Sequence, residues 1–401
     1  MTATFAQGMR SIQKAEWDAL AGRYRNPFLT WSFLALLEDS LSICTETGWT
    51  PNHLLIRDSG HLLAAAPFYA KTHSMGEFVF DFEFARVAET IGAAWYPKLV
   101  GMVPATPAPL WRVLVDQSAD ESALITKAFS ITGEAAQKAG LGGIHLLWPA
   151  PDFVGKVSSI LEARLGYSEW KHSTFIWTDE GYGDFEGYLS SFSKNMRRNV
   201  KRERASVEAA GIETRIITPA EAKADPRLME TMADYYEDTN ARFGPWSAKF
   251  LTREFFRLLP EYLQTGWFMT AGYLREDTDP DRLPHALALL FESGDSLYGR
   301  YWGTRGRIDG LHFELCYYLP IAYALAHGIK RFDPGMGSEH KAHRGFRSVL
   351  APSFHQSFDT RMTAILKKYL PIAGAQEVDY AQSLNEELPF KLTENPLFDL
   401  N

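Results

Sequence analysis

Three stretches of this sequence gather residue types that can handle an activated, phosphate-bearing molecule. The first is Arg300-Tyr-Trp-Gly303-Thr-Arg305-Gly306-Arg307, which joins a strand-like run to a helix-like one. Backbone N–H groups at a helix start are unpaired and point toward an anion, and glycine lets the anion come close. Guanidinium groups add paired hydrogen bonds to phosphate oxygens. Arg300, Gly303, Arg305, Gly306 and Arg307 are therefore expected to seat a pyrophosphate or nucleotide phosphate.

The second stretch runs from Phe332-Asp333 through Gly335, Gly337, Glu339, His340 and Lys341 to His343-Arg344. A strand that ends in an acid and opens into a charged, glycine-rich turn is a usual place for catalytic groups. Asp333 and Glu339, with Glu314 in the first turn of the preceding helix, are the candidate general bases. His340 is a candidate proton relay, its ordinary pKa being about 6.5. Lys341 and Arg344 are candidates to grip an acidic group on a substrate. Two histidines three apart beside one glutamate make a poor metal set, and no metal is expected.

The third stretch, Lys194 to Arg204, holds six cations and one acid in eleven residues. Its apolar residues step by three or four, so the cations project from the opposite side of one helix. Lys194, Arg197, Arg198, Lys201 and Arg202 are expected to contact a polyanion.

The remainder of the chain must position these groups. It has 401 residues, 46% hydrophobic and 22% charged, enough for two domains with packed cores. Net charge is −8, which argues against a protein that coats nucleic acid with general positive surface, so any anion site is local. Two cysteines exclude a disulfide framework and a thiolate metal site. With no secretory signal or long apolar run evident, a cytoplasmic protein without a membrane span is expected.

The first half reads as one α/β unit: helices near 15–20, 31–41, 118–139 and 156–165, a hairpin from His53 to Tyr69, and a strand at Ile144–Trp148. The second opens with a strand at Ser173–Trp177 and one long amphipathic helix, Asp184–Ala210. After the strand Ile212–Ile217 come helices at 226–242 and 252–263, then strands at Trp267–Leu274, Ala286–Glu292 and Leu297–Trp302. A helix at about 312–327, kinked by Pro320, and a strand at Lys330–Asp333 complete it. The last 28 residues read as surface coil. Boundaries follow at 1–172 and 173–401, with a coil tail from about 374.

The chain is similar to the bacterial FemAB-like "predicted N-acyltransferase" family, relatives of the Fem peptidyltransferases and of the GNAT superfamily. The first-half runs that carry the resemblance are Asn26-Pro-Phe-Leu29, Trp49-Thr-Pro-Asn-His-Leu54, Ala66-Pro-Phe-Tyr-Ala-Lys71, His73-Ser-Met-Gly-Glu-Phe-Val-Phe-Asp81 and Tyr96-Pro-Lys-Leu99. In the second half they are the basic helix, Leu297-Tyr-Gly-Arg-Tyr-Trp-Gly303, His312-Phe-Glu-Leu-Cys-Tyr-Tyr318, Gly337-Ser-Glu-His-Lys341 and Arg344-Gly-Phe346. GNAT acetyltransferases hold coenzyme A with a Gln/Arg-x-x-Gly-x-Gly/Ala loop, which Arg300-x-x-Gly303-x-Arg305 matches except at the last small position. The chain also departs from the family at Val103–Trp111, where a Gly-Pro-Arg-Leu-Leu run is usual, and at Leu319-Pro320. The resemblance implies an α/β chain of two tandem GNAT-like domains, mixed sheets flanked by helices, with the active site in the second. It implies transfer of an acyl or aminoacyl group from acyl-CoA, an acyl-carrier thioester or aminoacyl-tRNA to a small-molecule or peptide amine. No tightly bound cofactor is expected, and tRNA or a nucleotide-linked precursor is the expected polyanion. A catalytically inactive GNAT fold that binds a nucleotide- or phosphate-bearing ligand is the alternative.

Overall fold

The computed structural model describes residues 1–242, 249–279, 281–337 and 339–391. The described residues form two compact units, one of residues 1–173 and 350–380, the other of those within 174–349 and 381–391.

In the first unit, Thr2–Ala6, His53–Asp58, His61–Ala66 and Leu114–Val115 form an antiparallel sheet in that order. The expected hairpin is present, but Pro67 ends its second strand. Phe68–Lys71 then pairs with Trp49–Pro51 and Lys98–Gly101 instead. Lys98–Gly101 runs parallel to Gly143–Leu146, which takes residues 354–357 on its other edge. The helix Glu121–Lys138 starts where the Asp120 carboxylate accepts the Ala123 N–H at 3.1 Å, and its apolar face closes the core over Phe68, Trp111, Ile144 and Phe153.

This unit also buries polar groups. His145 Nδ1 and His355 Nδ1 lie 2.7 Å apart, His355 Nε2 is 2.6 Å from Ser353 Oγ, and that hydroxyl is 2.7 Å from His172 Nε2. Burial drives His172 and His355 down to about 3 and His145 well below its usual value, so all three rings are neutral.

In the second unit, Ile212–Ile217, Trp267–Leu274, Ala286–Ser293 and Ser296–Thr304 form an antiparallel ladder. Arg331–Asp333 joins Ser296–Thr304 in parallel, and Trp177 and Thr178 pair with its other edge. Lys194–Ala209 and the helix over 311–326 pack their apolar residues into the core beneath the sheet.

Two expectations change. The single helix Asp184–Ala210 is two, Phe185–Ser191 and Lys194–Ala209. Phe192 between them is extended and wholly buried against Phe390, and the Ser193 N–H donates to the Pro389 carbonyl at 2.7 Å. The helical spacing of Phe192 thus came from a core contact, not from a helix. The tail expected as coil from about 374 is instead the end of the helix Thr360–Glu386. Its Met362, Leu366 and Leu370 pack on Ala88 and Trp95, while residues 392–401 lie outside the described residues. Pro320 does disturb its helix: the turn before it, Glu314–Tyr318, widens to π geometry, which absorbs the hydrogen bond that proline cannot make. No helix among the described residues is long and apolar enough to cross a membrane.

The neutral histidines set a pH dependence. As pH falls below about 6.5 the unfolded chain protonates these rings while the folded protein does not, so stability drops. Glu77, pushed up to about 7 by burial, acts with the opposite sign and offsets about one proton. These four groups alone differ by about two protons, which costs ~3 kcal/mol per pH unit near pH 5.5. Urea denaturation should show a clearly lower midpoint at pH 5 than at pH 7; equal midpoints would mean that the rings take up protons inside the fold.

Candidate active site

The site is built where two parallel strands part. Ser296–Thr304 and Arg331–Asp333 pair only from Ser296 to Tyr298, after which the second strand turns away at Pro334. The ladder to Ala286–Ser293 slips at the same level: Leu290 faces Gly299 and Leu289 faces Tyr301, so Arg300 is an extra, bulged residue. Its side chain is buried. The Nη1 group donates to Asp333 Oδ1 at 3.2 Å and to the Gly299 carbonyl at 2.7 Å.

Asp333 Oδ1 also accepts the Gly335 N–H at 2.8 Å, which tightens the turn. A side chain at Gly335 would have its Cβ 3.0 Å from the Gly299 carbonyl, on a backbone with φ +79°, so only glycine fits. Lys341, 3% exposed, donates to the carbonyls of Gly335 at 2.7 Å and Met336 at 2.8 Å. Burial brings its pKa down to about 8, against the pull of nearby Asp333. Arg300, Asp333 and Lys341 are thus brought together in one buried knot, where they bind one another and the turn.

An aromatic cluster lies in electrostatic reach of it. His312 touches the rings of Trp302, Phe313, Tyr317 and His340 at centroid distances of 5.1 to 5.8 Å. The Tyr317 hydroxyl is 3.2 Å from His340 Nε2. Arg344 stacks on Phe313 at 3.3 Å and donates to the His340 carbonyl and to Glu203, both at 2.8 Å. Burial first, then the charges of neighbouring cations, lowers His312 to about 3 and His340 to about 4. Both imidazoles are therefore neutral, and their burial disfavours the protonated form. The His312 ring makes no hydrogen bond among the described residues and keeps partial access to solvent.

The other expected residues are placed differently. Glu314 is buried in a two-pronged ion pair with Arg204, at 2.9 and 3.0 Å, which leaves neither oxygen poised for proton transfer. Glu339 is exposed at the start of the 3₁₀ turn Glu339–Arg344. Gly303 lies inside the strand, and a Cβ there would meet the Tyr235 carbonyl oxygen at 2.3 Å, so its smallness serves helix packing. Arg305 is exposed and continues the ladder through its N–H to His285. The Gly306 carbonyl is held by Thr304 at 2.7 Å. Arg307 is 90% exposed beside Asp309. The helix start that was to hold phosphate abuts another helix: a Cβ at Gly310 would lie 2.7 Å from the Glu203 carbonyl. Gly303 is thus committed to strand and helix packing and Arg300 to Asp333, while Arg305 and Arg307 stay exposed at the surface and a side chain at Gly306 would meet only His285.

On the basic helix, Lys201 pairs with Glu186 at 3.0 Å and Arg202 with Asn199 at 3.3 Å. The side chains of Lys194, Arg197 and Arg198 have no partner among the described residues, and no acid stands in the first turn. Cations at the positive end of a helix dipole are disfavoured unless an anion joins them.

Residues 8–392 match the model of the FemAB-like family, described as peptidoglycan biosynthesis/recognition. The chain belongs to this family. Its fold is similar to that of FemX over 92% of this chain and 100% of FemX, with a TM-score of 0.54 at 14% identity. A conserved protein of unknown function from Bacteroides thetaiotaomicron is similar over 89% of this chain and 100% of its own, with a TM-score of 0.52 at 12% identity. A tandem GNAT protein from the clavulanic acid biosynthesis pathway matches over 89% and 98%, with a TM-score of 0.45 at 12% identity. No curated protein matches the chain. The expected family is the one found, and the expected mixed α/β fold is the one shared with FemX.

In this FemAB-like chain, sequence reasoning missed His312, Tyr317, Glu203 and Arg204. One signal was available for Glu203, the single acid in the cationic run: it anchors Arg344 and accepts the Tyr318 hydroxyl. No spacing rule marks His312, which gains its setting from four rings brought in by the fold.

Replacing Arg204 by Met should strand the buried Glu314 carboxylate. Since Arg204 is itself 38% exposed, the loss is expected at ~2 kcal/mol in urea denaturation, below that of a fully buried pair. Arg202→Met, on the solvent face, should cost less than ~0.5 kcal/mol. Equal effects would refute the anchoring role.

Proposed function

We propose that this protein is an N-acyltransferase that moves an acyl or aminoacyl group from an activated donor to an amine, with the second unit as its site. The observation that carries this is the pairing of a buried cationic knot at the parted strands with two neutral imidazoles nearby. In such a reaction the amine nitrogen bonds to the carbonyl carbon, the C–S or C–O bond to the carrier breaks, and the amine loses a proton. His312 or His340 relays that proton to the departing sulfur or oxygen without storing it, because burial disfavours their charged forms. Lys341 spends two of its three N–H donors on carbonyls, and the third is available to the oxyanion of the tetrahedral intermediate. Arg300 and Asp333 position Lys341 through the Gly335 turn. Glu339 stays an exposed secondary candidate for the base.

The unpaired Lys194, Arg197 and Arg198, followed by Lys201 and Arg202 on the same helix, favour a donor or acceptor with a long phosphate backbone. Aminoacyl-tRNA fits them better than acyl-CoA, and a nucleotide-linked precursor is the next fit. These donors belong to the cytoplasm, where we place the protein.

Single-turnover assays with acyl-CoA and aminoacyl-tRNA as donors and a panel of amines test the reading. His312→Ala and His340→Ala together should lower turnover by at least ~100-fold while Glu314→Gln keeps the buried pair's geometry and loses far less. Retained turnover in the double variant would discard the proton-transfer assignment. Neutralising Lys194, Arg197 and Arg198 with Gln should weaken tRNA binding and flatten the slope of log K against log salt by about 2. An unchanged slope would leave acyl-CoA as the favoured donor.

A further inference from the structure

The first-half runs Trp49–Leu54, Ala66–Lys71, His73–Asp81 and Tyr96–Leu99 come together around charges that the transfer chemistry does not use. Lys71 and Lys98 are direct partners across adjacent antiparallel strands, and both are buried. Two ammonium groups facing each other away from water repel, so something anionic must hold them. The loop 72–81 supplies it, from Glu77 and Asp81, which are buried with them.

The two acids are not equivalent. Asp81 is fully engaged: it pairs with Lys98 and accepts hydrogen bonds from Trp95 Nε1 at 3.0 Å and the Tyr96 hydroxyl at 3.1 Å. Glu77 places only Oε2 on Lys98, at 2.7 Å, while Oε1 is buried with no hydrogen-bond partner among the described residues. Lys71 in turn reaches no carboxylate oxygen. It donates to the Met75 carbonyl at 3.0 Å and sits 3.6 Å from the centre of the Trp49 ring. An acid oxygen without a donor and an ammonium without an acid thus share one buried cluster. Burial accordingly moves Glu77 up to about 7 and Lys71 down to about 7.

The loop that delivers Glu77 is weakly held on its outer side. Phe80 is 62% and Phe82 47% exposed, and Phe78 adopts φ +57°, a conformation costly for a bulky residue.

We propose that Lys71 and Lys98 form an oxyanion-binding site in the first unit for a carboxylate- or phosphate-bearing ligand, and that Glu77 fills it as an internal stand-in. An incoming oxyanion with two free oxygens can engage both ammonium groups, which Glu77 does not. Its entry moves Glu77 and the loop outward.

Hydrogen–deuterium exchange across 72–81 in the full chain, titrated with inorganic phosphate in one arm and glutarate in the other, tests this at matched ionic strength. A saturable rise in exchange is expected in at least one arm, and which arm responds identifies the ligand as phosphate or carboxylate. Glu77→Gln, which keeps the shape and removes the competing charge, should tighten the apparent Kd at least about ten-fold. Lys71→Met should abolish the response. Flat exchange with both anions in the wild type and in Glu77→Gln overturns the proposal, as does an undiminished response in folded Lys71→Met. Should that variant not fold, the comparison of wild type with Glu77→Gln decides by itself. None of these readouts depends on acyl transfer.

Discussion

Two parallel strands that pair for three residues and then separate leave backbone groups and charges to be satisfied by something other than a ladder. In the second unit that is the work of Arg300, Asp333 and Lys341. The bulge turns Arg300 inward, Asp333 holds both the guanidinium and the Gly335 N–H, and Lys341 covers the carbonyls of the turn. A bare charge in such a place would cost several kcal/mol, so the three groups stand or fall together. The turn Glu339–Arg344, and with it His340, is placed by this knot.

The helix Lys194–Ala209 divides its charges by position. Glu203 and Arg204, near its C-terminal end, face inward and bind Arg344 and Glu314. Lys194, Arg197 and Arg198, at its N-terminal end, face outward without partners. One helix therefore ties down the site wall and presents free cations, and the same run of residue types serves both ends. Composition does not separate the two uses; the neighbours across the core do.

The first unit uses buried charge differently. Its lysines lie opposite each other on adjacent strands with only Lys98 paired to the acids of one loop, while three histidines and a serine form a chain from which charge is excluded. Both arrangements make this unit sensitive to protons, with opposite signs for Glu77 and for the imidazoles.

Much of the architecture is written in local periodicity. The hairpin after His53, the helix Glu121–Lys138 with its Asp120 cap, and the strands from Trp267 to Thr304 follow from alternation, turn residues and capping that act over a few positions. The disturbance at Pro320 was equally legible, because a missing N–H acts on its own turn. Local pattern misled where a residue's partner is remote in sequence. Phe192 keeps helical spacing yet is extended against Phe390, and the segment after 374 is helical because its fellow residues have a core to cover. At the site, the chemical types at Arg300, Asp333, His340 and Lys341 were apparent from sequence, whereas their bonding was not. Only the tertiary structure decided that Glu314 is spent on Arg204, that Gly303 makes room for Tyr235, and that His312 is neutral among four rings. Residue type and spacing set what a short segment can do alone; burial and long-range partners set which of those capacities remain free.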